Sequence, residues 1–248
     1  MALGVIPARA NSSRFPNKII APILGKPMIQ YVWEAARRAE SLSEVVVATD
    51  SEEIAAVVKG FGGNVVMTPS DLPSGTDRVA FVAKDLLAKD RPHDLVLNLQ
   101  GDEPLLEPDF IDSLVADLRA HPTCSLATLV VQKRSPEEAN NQNVVKAAVS
   151  SRGDALYFSR QPLFVSPDGA FFKHIGIYGF RRSALLTFCS LPPSLLEKAE
   201  RLEQLRALEN GMSIRAVRVE RDTIAVDTPG DIARVEKVLT MKKGQNEN

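Results

Sequence analysis

From residue 3 to residue 119 the chain alternates short apolar runs with segments of helical period, and few folds accept that rhythm. Leu3–Pro7, Val45–Ala48, Asn64–Met67 and Leu95–Leu99 read as strands. Pro27–Glu40 is apolar at positions 28, 29, 32, 33, 35 and 36, the spacing of one helix face. Ser51–Lys59, capped by Ser51 or Asp50, Thr76–Ala88 and Pro108–Arg119 read as further helices. A helix between two strands carries the chain back to the same end of the sheet, so the strands run parallel. Runs without polar alternation fit burial on both faces. The expected fold class is α/β, a mostly parallel sheet flanked by helices.

The second half changes character. Cys124–Val131 alternates as a strand does, and Lys173–Phe180 is another strand. Val144–Val149 and Ala155–Phe158 flank Ser151-Arg152-Gly153 as a hairpin. Pro193–Asn210 has helical spacing with Gly211 as its stop, and Ser213–Val219 is a strand. Thr228–Leu239 reads as a helix with Thr228 as cap and Pro229 at its first position. With no repeat and no long linker, the expectation is a single domain over 1–248. A β-rich insertion occupies about 132–212, and a polar, frayed tail 241–248.

The charge balance is even, 30 basic against 31 acidic residues, which gives no footprint for nucleic acid or a membrane surface. No run reaches about 18 apolar residues, and no basic leader precedes an apolar stretch, so a cytoplasmic protein without a membrane partner is expected. Cys124 and Cys189, in apolar surroundings, read as reduced core residues, and no cysteine or histidine spacing suggests zinc.

The chemistry concentrates where strands end. LGVIPARANSSRFPNK turns an apolar strand into a loop carrying Arg9, Arg14 and Lys18. Ligands of open α/β sheets sit outside the carboxyl ends of the strands. Arginine forks and a lysine point charge there suit phosphates, with backbone N–H groups from Ala8 onward adding donors. The Walker A pattern is absent. Ser74-Gly75-Thr76-Asp77-Arg78 opens a helix, read with Thr76 as cap and Asp77 on the dipole; Gly75 admits close approach of a ligand. NLQGDEP places Asp102 just after a buried strand, where a carboxylate can hold Mg²⁺ beside phosphate oxygens. Asp227, at the end of an expected strand before the Thr228-Pro229 helix start, would be a second carboxylate for the same metal; the sequence leaves open whether the two converge. In the second half, Arg160, His174, Tyr178, Glu203 and Gln204 each also admit a purely structural reading.

Taken together, IPARANSSRFPNK, GKPMIQYVWEAA, VVVATD, GGNVVMTPSDLPSGTDR, NLQGDEP, VKAAVSSRGDALYFSR, HIGIYGFR, LEQLRALENG and VDTPGDI resemble the 3-deoxy-manno-octulosonate cytidylyltransferases, or CMP-Kdo synthetases, over about residues 3–240. The resemblance implies a nucleotide-diphospho-sugar transferase type of fold. It also implies transfer of CMP from CTP to the acid sugar Kdo, with Mg²⁺ and release of diphosphate, for lipopolysaccharide synthesis. Arg9, Arg14 and Lys18 would hold the phosphates, Lys18, Arg14 and Asp102 acting in catalysis. Ala8, Ser74, Gly75, Thr76 and Arg78 would complete the nucleotide site. Asp102 and Asp227 would hold Mg²⁺. Gln100, Arg160, His174, Tyr178, Glu203 and Gln204 would bind the sugar. A homodimer formed through the β-rich half is also implied.

Phe15-Pro16-Asn17-Lys18 stands where the family usually has Leu-Pro-Gly-Lys, and Asn17 tolerates the left-handed turn that glycine would make. The segment between Arg160 and His174 is short, which implies a reduced lid over the sugar. The alternatives are the same chemistry on an 8-amino Kdo analogue or another acid sugar such as a sialic acid, and a nucleotide-binding module without catalysis.

Overall fold

The computed structural model describes residues 2–9, 15–90, 93–163, 166 and 168–246. Strand β1 (Ala2–Ala8) is buried at all seven positions. The chain then makes a two-stranded turn, β2 (Pro22–Ile23) and β3 (Lys26–Pro27), and enters α1 (Met28–Arg38). There follow β4 (Leu42–Thr49), α2 (Glu52–Gly60), β5 (Asn64–Met67), α3 (Gly75–Ala88), β6 (Leu95–Asn98) and α4 (Pro108–Ala120). Ser51 caps α2 by accepting from Ile54 N at 3.3 Å. β4 runs parallel to β1 with Val5 opposite Val46, and β5 parallel to β4 with Val47 opposite Val65.

These strands stand in the order β6-β1-β4-β5. The chain therefore leaves β1 to one side for β4 and β5, then crosses to the other for β6. The carboxyl end of β1 is a topological switch point, the place where open α/β sheets bind ligands.

The second half supplies β7 (Leu126–Lys133), α5 (Pro136–Asn140), β8 (Lys146–Val149), β9 (Ala155–Ser159), β10 (Phe171–Arg181), α6 (Arg182–Ser190), α7 (Leu195–Glu200), α8 (Gln204–Glu209) and β11 (Ile214–Val219). β10 lies antiparallel to both β7 and β8, β9 antiparallel to β8, and β11 parallel to β7. The expected hairpin forms, with Gly153 at φ +86° in its turn. Helix α9 (Pro229–Asn246) ends the chain.

Several expectations need correction. The helix over 193–210 is two helices, because Arg201 takes a left-handed conformation (φ 55°) that ends α7. Ser74 rather than Thr76 caps α3: its Oγ accepts from Asp77 N at 3.0 Å and donates to Asp77 Oδ2 at 2.6 Å. Asp227 does not end a strand; residues 222–227 form a loop after β11. The tail is not frayed from 241, since α9 continues to Asn246. Helices α5 and α6 were not anticipated. Both cysteines are free, but only Cys124 is buried, Cys189 being half-buried.

The chain forms two compact units. One unit holds residues 1–93, 97–112 and 223–248, the other 94–96 and 113–222. In the first, Ile23, Met28, Leu105, Val226 and Val235 form a buried cluster, with Phe15, Tyr31 and Ile232 packed against it. Each fully buried aliphatic side chain stabilises by about 1.5–3 kcal/mol. The cluster fixes the segments that carry Lys18, Asp102 and Asp227 on one core.

Candidate active site

Three motifs of the first unit meet at Pro7, near the carboxyl end of β1. A side chain at Gly101 would bring its Cβ within 3.4 Å of Pro7 O and 3.1 Å of Ile19, so only glycine fits there without displacement. A Cβ at Gly75 would touch the Pro7 ring at 3.5 Å. The basic loop, the helix start at Ser74 and the QGD turn are thus neighbours.

Asn17, at φ 54° and ψ 22°, makes the left-handed turn expected of it and sends Lys18 inward. Lys18 Nζ reaches Asp102 Oδ2 at 2.7 Å and Asp227 Oδ1 at 3.8 Å. The two aspartates therefore converge on one cation. Val226 N donates to Asp102 O at 2.9 Å, which ties the loop carrying Asp227 to the QGD turn. Two hard carboxylates brought together beside Lys18 fit a divalent ion such as Mg²⁺. Among the described residues no three acidic, histidine or cysteine side chains gather, so such an ion would take its remaining ligands from nucleotide and water.

Arg9 has no hydrogen-bond or ion-pair partner among the described residues, and Ala8 closes β1 opposite Thr49. Arg14 lies outside the described residues. Thr76 Oγ1 accepts from Asn98 Nδ2 at 3.1 Å, so a buried asparagine missed in the sequence fixes the turn beside the switch point. Its place at the end of an apolar strand was the available signal.

Arg78 departs from the expectation of nucleotide contact. It is fully buried, donating to Asp50 Oδ2 at 2.9 Å and to Thr68 Oγ1, and so braces α3 against the end of β4. Gln100, also in the first unit, is half-buried, with its carbonyl accepting from Glu103 N.

In the second unit a bulge in β10 organises the residues expected at the sugar. Ile175 pairs with Leu129 and Tyr178 with the adjacent Thr128, so Gly176 and Ile177 are looped out. A regular strand would hold residues four apart at roughly 13 Å. Here the His174 and Tyr178 rings stand 5.5 Å apart. Thr128 Oγ1 lies 2.8 Å from Ile177 O and 3.2 Å from Ile175 O, and gives its one proton to these bulge carbonyls. It can then only accept from His174 Nε2 at 2.9 Å, which puts the ring proton on Nε2. Burial pushes the His174 pKa down to about 3, so the ring is neutral at physiological pH.

Tyr178, Glu203 and Gln204 line one small recess with Leu126, Phe180 and Phe188. Burial and the Glu203 carboxylate raise the Tyr178 pKa. Gln204 is buried, and its Nε2 has no hydrogen-bond partner among the described residues, an unspent donor on a residue that lines the recess. Arg160 sits in a separate network. Its Nε donates to Glu200 O at 3.1 Å and its Nη1 to Gln142 O at 3.2 Å, while Glu200 receives Ser159 Oγ and Arg160 N. Part of the short segment between Arg160 and His174 lies outside the described residues.

The sequence profile of the cytidylyltransferase family matches residues 3–214, and the chain belongs to that family. Its relatives narrow the assignment to the 3-deoxy-manno-octulosonate cytidylyltransferases. The enzyme of that name from Geobacter sulfurreducens is 46% identical over 245 residues, covering 93% of this chain and 96% of its own. That from Syntrophobacter fumaroxidans is 48% identical over 242 residues, covering 96% of each. A solved CMP:2-keto-3-deoxy-manno-octonic acid synthetase complexed with CTP matches with a TM-score of 0.90 at 40% identity, over 97% of this chain and 99% of that one.

Proposed function

We propose that this chain activates Kdo: CTP and 3-deoxy-manno-octulosonate give CMP-Kdo and diphosphate, the product serving lipopolysaccharide synthesis. The observation that carries the reading is the convergence of Asp102 and Asp227 on Lys18 at the switch point, in a chain so close to enzymes of that name over nearly its full length.

The anomeric hydroxyl of the sugar attacks the α-phosphorus in line. A new P–O bond forms, the bond to the β-phosphate oxygen breaks, and the hydroxyl proton passes to solvent. No covalent enzyme intermediate is needed, so the protein's work is positioning and charge neutralisation. Arg9, Arg14 and Lys18 hold the phosphates. The Ser74–Thr76 turn, fixed by Asn98, lies by the cytosine. Asp102 and Asp227 would hold Mg²⁺, which when bound lowers repulsion between the attacking oxygen and the anionic phosphate. Tyr178, Glu203 and Gln204 take sugar hydroxyls, and the Arg160 fork suits the carboxylate. Gln100 adds a side-chain amide for the sugar, and the neutral His174 ring holds Tyr178 in place.

Homodimerisation and a cytoplasmic location belong to the same proposal. Leu156 and Leu195, exposed at 62% and 77% on the second unit, offer apolar surface to a partner copy. No described helix is long and apolar enough to cross a membrane. Diphosphate release from CTP and Mg²⁺, with Kdo, its 8-amino analogue and a sialic acid as separate acceptors, tests the reading. Release with Kdo is expected, and release only with another acceptor rejects Kdo as substrate.

A further inference from the structure

Lys146 stands in β8 within the apolar run VVKAAV, yet its side chain is a charged group only 1% exposed. No carboxylate pairs with it among the described residues. Its three N–H bonds go instead to three main-chain carbonyls, Asn141 O at 2.8 Å, Val144 O at 2.8 Å and Arg160 O at 2.6 Å. Burying an ammonium is costly unless every donor is satisfied, and here all three are.

The carbonyls it joins are informative. Asn141 and Val144 bracket Gln142, whose own carbonyl receives Arg160 Nη1. The third carbonyl is that of Arg160 itself. One ammonium therefore fixes both the main chain that carries the guanidinium and the turn that receives it. Glu200 holds the other side, through Arg160 N and Nε. Nη2 makes no hydrogen bond among the described residues and Nη1 keeps a second N–H, so the Nη1–Nη2 edge of the fork still has donors to give.

We propose that Lys146 is a positioning residue for acid-sugar binding: by clamping Arg160 O and the 141–144 turn it aims the Arg160 guanidinium at the substrate carboxylate. This rests on the reading of Arg160 as the carboxylate ligand. A bidentate pair needs both N–H vectors fixed, so a loosened fork loses most of its advantage over a point charge. Burial and the nearby Arg160 charge both lower the Lys146 pKa, consistent with an ammonium held by dipoles instead of an opposite charge.

The test is a double-mutant cycle on the full chain, reading KM for Kdo and for CTP separately, with melting temperature recorded. Lys146→Met is expected to raise the Kdo KM at least about tenfold and the CTP KM less than about twofold. In an Arg160→Ala background the same substitution should add less than about twofold to the Kdo KM. An undiminished effect there, or an unchanged Kdo KM in Lys146→Met alone, overturns the proposal. If Lys146→Met does not fold, Lys146→Gln, which keeps two N–H donors, carries the same cycle with the same opposing outcomes. If Arg160→Ala alone leaves the Kdo KM unchanged, the fault lies in the reading of Arg160 as the carboxylate ligand.

Discussion

Lys18 neutralises one of the two negative charges that Asp102 and Asp227 bring together. Phosphates would give it another partner and leave both carboxylates to a divalent cation. Asp102→Asn and Asp227→Asn should each lower turnover by about tenfold to a thousandfold, the scale of losing a key electrostatic contact, with circular dichroism unchanged. Near-wild-type turnover in either variant would remove that residue from the site. Lys18→Ala should weaken CTP more than Kdo, which separate titrations of the two substrates would show. His174 carries a prediction of another kind. Its folded pKa, about 3, lies below the ordinary value of 6.5. Between those values the unfolded chain binds a proton that the folded one refuses, so stability is lost as pH falls. The slope approaches about 1.4 kcal/mol per pH unit for this one group. Denaturant unfolding between pH 7 and 4.5 should show it, and His174→Gln should flatten it. An equal slope in the variant would place the titration elsewhere.

At the scale of elements, the sheet ends are held by buried polar side chains. Arg78 joins α3 to the end of β4 through Asp50, and removing one partner strands the other charge out of water. Asp50→Asn should cost about 3–5 kcal/mol in unfolding free energy; a loss under about 1 kcal/mol would mean that the pair contributes little. The parallel half was legible because its signal is periodic: apolar runs and one-faced helices place β1, β4, β5, α1 and α3 to within a few residues. What the sequence hid depends on contacts between distant segments. Nothing local in HIGIYGF shows that Thr128, far away in the chain, stabilises a two-residue bulge that brings His174 against Tyr178. Arg201 gave no sign that it would adopt a left-handed conformation and split one leucine-rich stretch into α7 and α8. Arg78, next to the Ser74–Thr76 turn, was expected at the nucleotide; its full burial and its pairing with Asp50 belong to the assembled sheet. Asp102 was readable because a Gly-Asp turn after a buried strand has a fixed place in this architecture, whereas its meeting with Asp227 required the fold.

For the whole molecule, chemistry-bearing residues fall into two sets that follow the two compact units. Arg9, Lys18, Ser74–Thr76, Gln100, Asp102 and Asp227 lie in the first, and Arg160, His174, Tyr178, Glu203 and Gln204 in the second. The division predicts separable defects, Lys18→Ala acting on CTP and Arg160→Lys on the sugar, the latter raising the Kdo KM by roughly five- to two-hundredfold. The most direct measurement is diphosphate release by the purified chain with CTP, Kdo and Mg²⁺ supplied together and with each omitted in turn. Release that requires all three, and that falls with Asp102→Asn and Asp227→Asn, is the predicted result. Release from CTP without the sugar, or at full rate without a divalent cation, would contradict it.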